Sequence, residues 1–143
     1  MSVALALFDE IKDPVKYEQD FEDNVAVLVD RIKETGEQEI SLEQNHFADG
    51  VYARELFIPK GQILVGAKHK TEHLNVVLKG EISIATREGI IFIEAPCIFK
   101  SDVGIRKVGL AHEDTIWLTV HPTKETDVEK IENDLVEKNV VMT

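Results

Sequence analysis

Cysteine is almost missing from this sequence: Cys97 stands alone among 143 residues. One thiol excludes an internal disulfide and a thiolate-rich zinc site. It lies in the apolar run APCIFK and reads as a small buried hydrophobe. Positive charge is also scarce, with 16 Lys and Arg against 27 Asp and Glu and a net charge of -11. Such a surface lacks the basic footprint that nucleic acid requires and is repelled by anionic membranes. No apolar run approaches the roughly 18 residues of a transmembrane helix. The opening MSVALALFDEIKD meets Asp9 too soon, and without a basic n-region, to read as a signal peptide. A reduced, cytoplasmic protein is the resulting expectation. Nucleophile elbows, phosphate-binding glycine loops, dinucleotide fingerprints and zinc-protease helix motifs are all lacking.

What is present is enough for a core. The apolar fraction is 43%, ordinary for a folded protein, and the length suits one domain over residues 1–143. Three zones follow. Residues 1–39 read as a helical segment: Asp13 is placed as an N-cap, Pro14 as the first helical residue and Gly36 as the stop. Phe21, Val25, Leu28 and Ile32 recur at spacings of four, three and four, one apolar stripe suited to docking on the barrel or to a dimer. Residues 40–122 are β-rich. Strands are predicted near 51–58, 62–66, 73–79, 81–86, 90–94, 97–100, 105–111 and 115–121, broken by PKG, KG, REG, AP, SDVG and HED. Short strands at this spacing suggest an antiparallel sandwich or barrel. Residues 123–143 read as a C-terminal helix, with Thr126 and Glu129 at capping-box spacing and Val128, Ile131 and Leu135 on one edge.

One stretch carries most of the chemistry. GAKHKTEHLNVVLKG, Gly66 to Gly80, holds His69 and His73 four residues apart. Together with KSDVGIRKVGLAHEDTIWLTV it resembles the two motifs of the cupin superfamily over about 70 residues. The resemblance is anchored on Gly80 and Gly104. It implies a mainly β fold, a double-stranded β-helix or jelly-roll barrel flanked by N-terminal and C-terminal helices, usually dimeric. Counted from Gly80, the first motif's metal-ligand positions fall on Ala67, His69 and His73, and with Gly104 as the second motif's glycine the family's final histidine falls on Lys107. One ligand is thus kept, one exchanged for another donor, and two lost. The acidic flanking helices and the wording ARELFIPKG and AHEDTIWLTVHPT are also similar to small cupins encoded by tailed phages. That similarity implies no assigned function.

Strand parity sorts the candidates. Residues 67, 69, 73, 75 and 77 share a face and are expected to point into the barrel. His69 and His73, joined by His112, are the candidate ligands of a divalent transition metal: iron, manganese, nickel or zinc. Lys107 opposes it, because an ammonium repels a cation. A second constellation, Tyr52, Arg54, Asn75, Arg106, Lys107 and Trp117, is expected to bind a small polar or anionic molecule. His46 and His121 receive no role. Three functions stay open: a non-catalytic small-molecule-binding cupin, a metal-dependent isomerase or dioxygenase on His69 and His73, and a virion scaffold whose lumen is filled by side chains. The expected partners are a small-molecule ligand and a second copy of the chain, with no nucleic acid and no membrane.

Overall fold

The computed structural model describes residues 3–35 and 42–137. Two short antiparallel sheets face each other. One has five strands in the order β1 (Leu42–Ala48), β2 (Val51–Ile58), β10 (Thr115–Pro122), β5 (His73–Lys79) and β8 (Cys97–Ser101). The other orders β3 (Ile63–Val65), β9 (Val108–Ala111), β6 (Glu81–Thr86) and β7 (Gly89–Glu94). A two-stranded ribbon joins β4 (Lys68–His69) to β11 (Val136–Glu137), just after helix α3 (Val128–Leu135). Strands adjacent in sequence often lie in different sheets, as the jelly-roll reading requires.

Alternation decides what each strand buries. In β2, Tyr52, Arg54, Leu56 and Ile58 are buried and their neighbours half-buried. Leu56, Ile58, Val77, Ile82, Ile84, Ile93, Ala111 and Trp117 fill the space between the sheets. Cys97 packs at the edge of this core, half-buried rather than fully buried. Two glycines are dictated by close approach. A Cβ on Gly109 would stand 3.0 Å from the Ile82 Cδ1 methyl. Gly80, which turns β5 into β6 with φ +96°, would place a Cβ 2.5 Å from the Asp114 carbonyl oxygen.

The outer face of the four-stranded sheet is covered by α1 (Val3–Asp9) and α2 (Glu18–Thr35). Phe21, Val25, Leu28 and Ile32 are buried there against Val65, Ala85, Val108 and Leu110. The apolar stripe therefore serves the intramolecular dock, each side chain contributing about 1.5–3 kcal/mol. The helix begins at Glu18, not at Asp13 and Pro14. Those residues are held on the β6–β7 hairpin: Val15 N donates to the Arg87 carbonyl at 2.9 Å, and Pro14 packs over Gly89. Gly36, the expected stop, lies outside the described residues. β1 is an exposed strand that the polar run LEQNHFA conceals, joined to β2 through a two-residue turn, Asp49-Gly50. In α3 the cap is Asp127, whose carboxylate accepts from the Glu129 and Lys130 amides, rather than Thr126. Among the described residues, no helix is long and apolar enough to cross a membrane.

Candidate functional site

Three strands bring three imidazoles to one end of the barrel. β4 carries His69, β5 opens with His73, and β10 carries His121 near its end, on the same inward face as Trp117. β4 is pinned by the ribbon with β11 and by Gly104 N donating to the His69 carbonyl at 2.9 Å. His73 pairs in register with Ser101 of β8, and His121 with Tyr52 of β2. The ring centroids of His69 and His73 are 4.1 Å apart, those of His69 and His121 5.0 Å, and those of His73 and His121 4.9 Å. One nitrogen from each ring lies within 4.8 Å of the others. Two nitrogens on one ion at about 2.1 Å each lie no more than about 4.2 Å apart, so small ring rotations would close the set.

The electrostatics keep these rings neutral. Burial, reinforced by His73, His121, Lys107 and Arg54, drives His69 down to about 2. Burial with the Lys107 charge lowers His73 to about 4, and burial with His73, Arg54 and Lys107 lowers His121 to about 4. Neutral imidazole is the metal-binding form. The hydrogen bonding is incomplete. His69 Nδ1, both nitrogens of His73 and His121 Nδ1 are buried without a partner. The Thr71 backbone and the Asn75 amide stand near His73 but do not reach hydrogen-bonding geometry. Orphaned buried polar atoms cost about 1–3 kcal/mol each, so four at one point require an account.

The surrounding wall is largely apolar, with Leu56, Leu64, Ala67, Ile82 and Ile84, and a few polar groups converge on it. Trp117 Nε1 donates to Asn75 Oδ1 at 3.1 Å, and Asn75 Nδ2 donates to Ser101 Oγ at 2.8 Å. Lys107 Nζ donates to the same hydroxyl at 2.8 Å. Burial pushes Lys107 down to about 8. Arg54, also buried, pairs with Glu43 and with Glu132 of α3 at 2.9 Å each, and its Nε donates to Tyr52 Oη at 3.2 Å. Tyr52 Oη in turn donates to Asn45 Oδ1. The cavity inside, about 70 Å³, is lined by Arg54, His69, His73, Lys107, Trp117 and Thr119 among others, room for an ion with a few waters or a small head group.

The sequence-predicted residues divide accordingly. His69, His73, Asn75, Lys107, Trp117, Tyr52 and Arg54 all come together at this end of the barrel. His112 does not: it follows β9 on the far side, where its Nε2 lies 2.6 Å from Ser83 Oγ and its ring stands near Phe92. The third imidazole is His121. Arg106 also stands elsewhere. It is fully buried toward α2, bonded to the Glu22 carboxylate at 2.9 Å and to the Gly66 carbonyl at 2.9 Å. Parity was the signal that finds His121: it shares a strand and a face with Trp117, two pairs of residues back.

No protein-family profile and no curated protein sequence matches this chain. Solved structures do. A cupin superfamily protein from Desulfitobacterium hafniense DCB-2 superposes with a TM-score of 0.51 at 13% identity, over 59% of this chain and 79% of that one. KdgF from Halomonas sp. gives 0.51 at 10% identity, over 61% and 81%. Salicylate 1,2-dioxygenase from Pseudoaminobacter salicylatoxidans gives 0.52 at 10% identity, over 82% of this chain but 36% of that longer one. Likenesses at this identity establish architecture alone: the chain has the cupin fold, a jelly-roll barrel with helical flanks.

Proposed function

We propose that this chain is a metal-binding cupin, in which His69, His73 and His121 hold one divalent transition metal ion and leave a coordination position open to a small organic ligand. The observation that carries the reading is the convergence of three neutral imidazoles whose buried nitrogens lack partners. One cation bound by three nitrogens offsets those desolvation costs together. Imidazole donors suit zinc, copper, iron or nickel. An ion there would act as a Lewis acid on a bound oxygen. The chain's own residues would bind and orient that ligand: Lys107 supplies positive charge, and Asn75 and Trp117 fix the Ser101 hydroxyl beside it.

A non-catalytic binding protein and a dioxygenase or isomerase both fit this site. The dioxygenase and KdgF among the neighbours support the second only by analogy of fold. A bare virion scaffold is disfavoured, since a scaffold has no use for orphaned imidazoles around a cavity. The reading does not depend on a phage source. A homodimer remains the simplest use of Leu74, Leu78 and Ile98, exposed apolar residues on the outer face of the five-stranded sheet. Sedimentation equilibrium tests it, with monomer at every concentration as the contrary result. For the metal, elemental analysis of protein made under metal-replete conditions should find about one ion per chain. H121A should fall below about 0.2, and H112A should keep the wild-type content. Equal loss in both variants would place the metal elsewhere.

A further inference from the structure

Among the described residues, the buried and half-buried arginines and lysines pair with carboxylates, with one exception. Arg54 has Glu43 and Glu132, Arg106 has Glu22, and Lys68 has Glu18 and Glu22. Lys107, half-buried on the wall of the histidine cavity, hydrogen-bonds through its ammonium to the Ser101 hydroxyl, and among the described residues no carboxylate pairs with it. An ammonium has three protons to donate, and one held partly out of water without an anion is disfavoured. Lys107 also borders a second and larger space. A groove of about 460 Å³ lies between β7 and β8, strands at the free edges of the two sheets, and Lys107 and Ser101 are among the residues that line it. Its apolar lining includes Ile84, Ile91, Ile93 and Phe99. Its rim bears Glu18, Glu88, Glu94 and Asp102 against Arg87 and Lys100.

We infer that Lys107 and Ser101 form a carboxylate subsite, and that the ligand of this protein is an amphipathic monocarboxylate whose apolar body lies in the β7–β8 groove. The carboxylate is the counter-ion that Lys107 lacks, accepting from the ammonium beside the histidine cavity. The groove is of the size that small-molecule sites use, and its apolar walls match a hydrocarbon or ring rather than a sugar. The acidic rim repels polyanions such as nucleotides and admits a single negative charge more readily. The assignment deepens the ligand half of the proposed function and rests on it, but it does not require the metal.

The test uses the full chain freed of metal by EDTA, titrated calorimetrically with octanoate, octan-1-ol and acetate. Octanoate should bind at least about tenfold more tightly than octan-1-ol, the worth of one charge-assisted hydrogen bond, and at least about tenfold more tightly than acetate, which lacks the apolar body. Lys107→Met should bring octanoate to the level of octan-1-ol and leave octan-1-ol unchanged. Ile91→Asp, on an exposed strand position, should weaken both eight-carbon probes and spare acetate. Octan-1-ol equal to octanoate, acetate equal to octanoate, or octanoate unaffected by K107M would each overturn the inference. Should K107M not fold by circular dichroism, the wild-type series decides alone. H121A should lose metal yet bind octanoate as the wild type does, so failure of the metal centre and failure of the carboxylate subsite give different results.

Discussion

Acidifying the metal-free protein from pH 7 to pH 5 should unfold it more easily, because three imidazoles, two buried and one half-buried, are held neutral. The rings of His73 and His121 titrate near 4 and that of His69 near 2 in the folded chain, against about 6.5 when unfolded. Between those values the unfolded state binds more protons, so stability is full above about pH 6.5 and falls as pH drops toward 4. At pH 5 an unfolded histidine lies about 1.5 pH units below its midpoint, worth about 2 kcal/mol. Three rings set a ceiling of about 6 kcal/mol. Solvent screening and relaxation on protonation would reduce this to about 3 kcal/mol. Part of the -11 net charge is neutralised over the same range, which relieves self-repulsion and works the other way. A variant is therefore the proper reference. Urea unfolding followed by the single tryptophan, Trp117, in EDTA at both pH values, should show wild type losing about 1 kcal/mol more than His121→Gln. Equal losses in the two proteins would refute the claim that burial keeps His121 neutral.

Other expectations follow from the same geometry. Zinc at about 100 times its Kd should add about 2.7 kcal/mol to the unfolding free energy, and this increment should vanish in H69A, H73A and H121A. Gly80→Ala should cost at least about 1–2 kcal/mol for the positive φ, with more from the Cβ placed 2.5 Å from the Asp114 carbonyl; urea midpoints measure it, and a change under 0.5 kcal/mol on that same ~ scale would contradict the turn geometry. Glu22→Ala should destabilise by about 3 kcal/mol, since it strands the buried Arg106 guanidinium. Arg106→Met should cost less, because Glu22 keeps Lys68 at 3.1 Å; the reverse order by thermal denaturation would argue that Arg106 does not depend on Glu22.

The barrel was legible because its signals are local. Turn glycines, runs of β-branched residues and period-two alternation gave eight strands near their observed places, and the parity of residues 67–77 set His73, Asn75 and Val77 inside. The same rule, carried further, sorts the errors. Arg106 and Lys107 are neighbours and cannot both face inward; Val108 and Leu110 pack on the helices, and Arg106 shares their parity. His112 likewise follows Ala111, an inward residue, and so falls on the opposite side. What the sequence hid was long-range. The non-helical path of residues 13–17 depends on Arg87 and Gly89, some 70 residues away. The approach of His121 to His69 depends on β10 and β4 meeting at one barrel end, which no spacing between 69 and 121 encodes.

X-ray absorption at the zinc edge tests the central claim most directly. Protein loaded with one equivalent of zinc should show about three imidazole nitrogens at about 2.0–2.1 Å, with the outer-shell scattering of histidine rings, and H121A should lose one of them. A shell of oxygens without imidazole scattering, or a spectrum unchanged by H121A, would contradict a metal centre built from His69, His73 and His121.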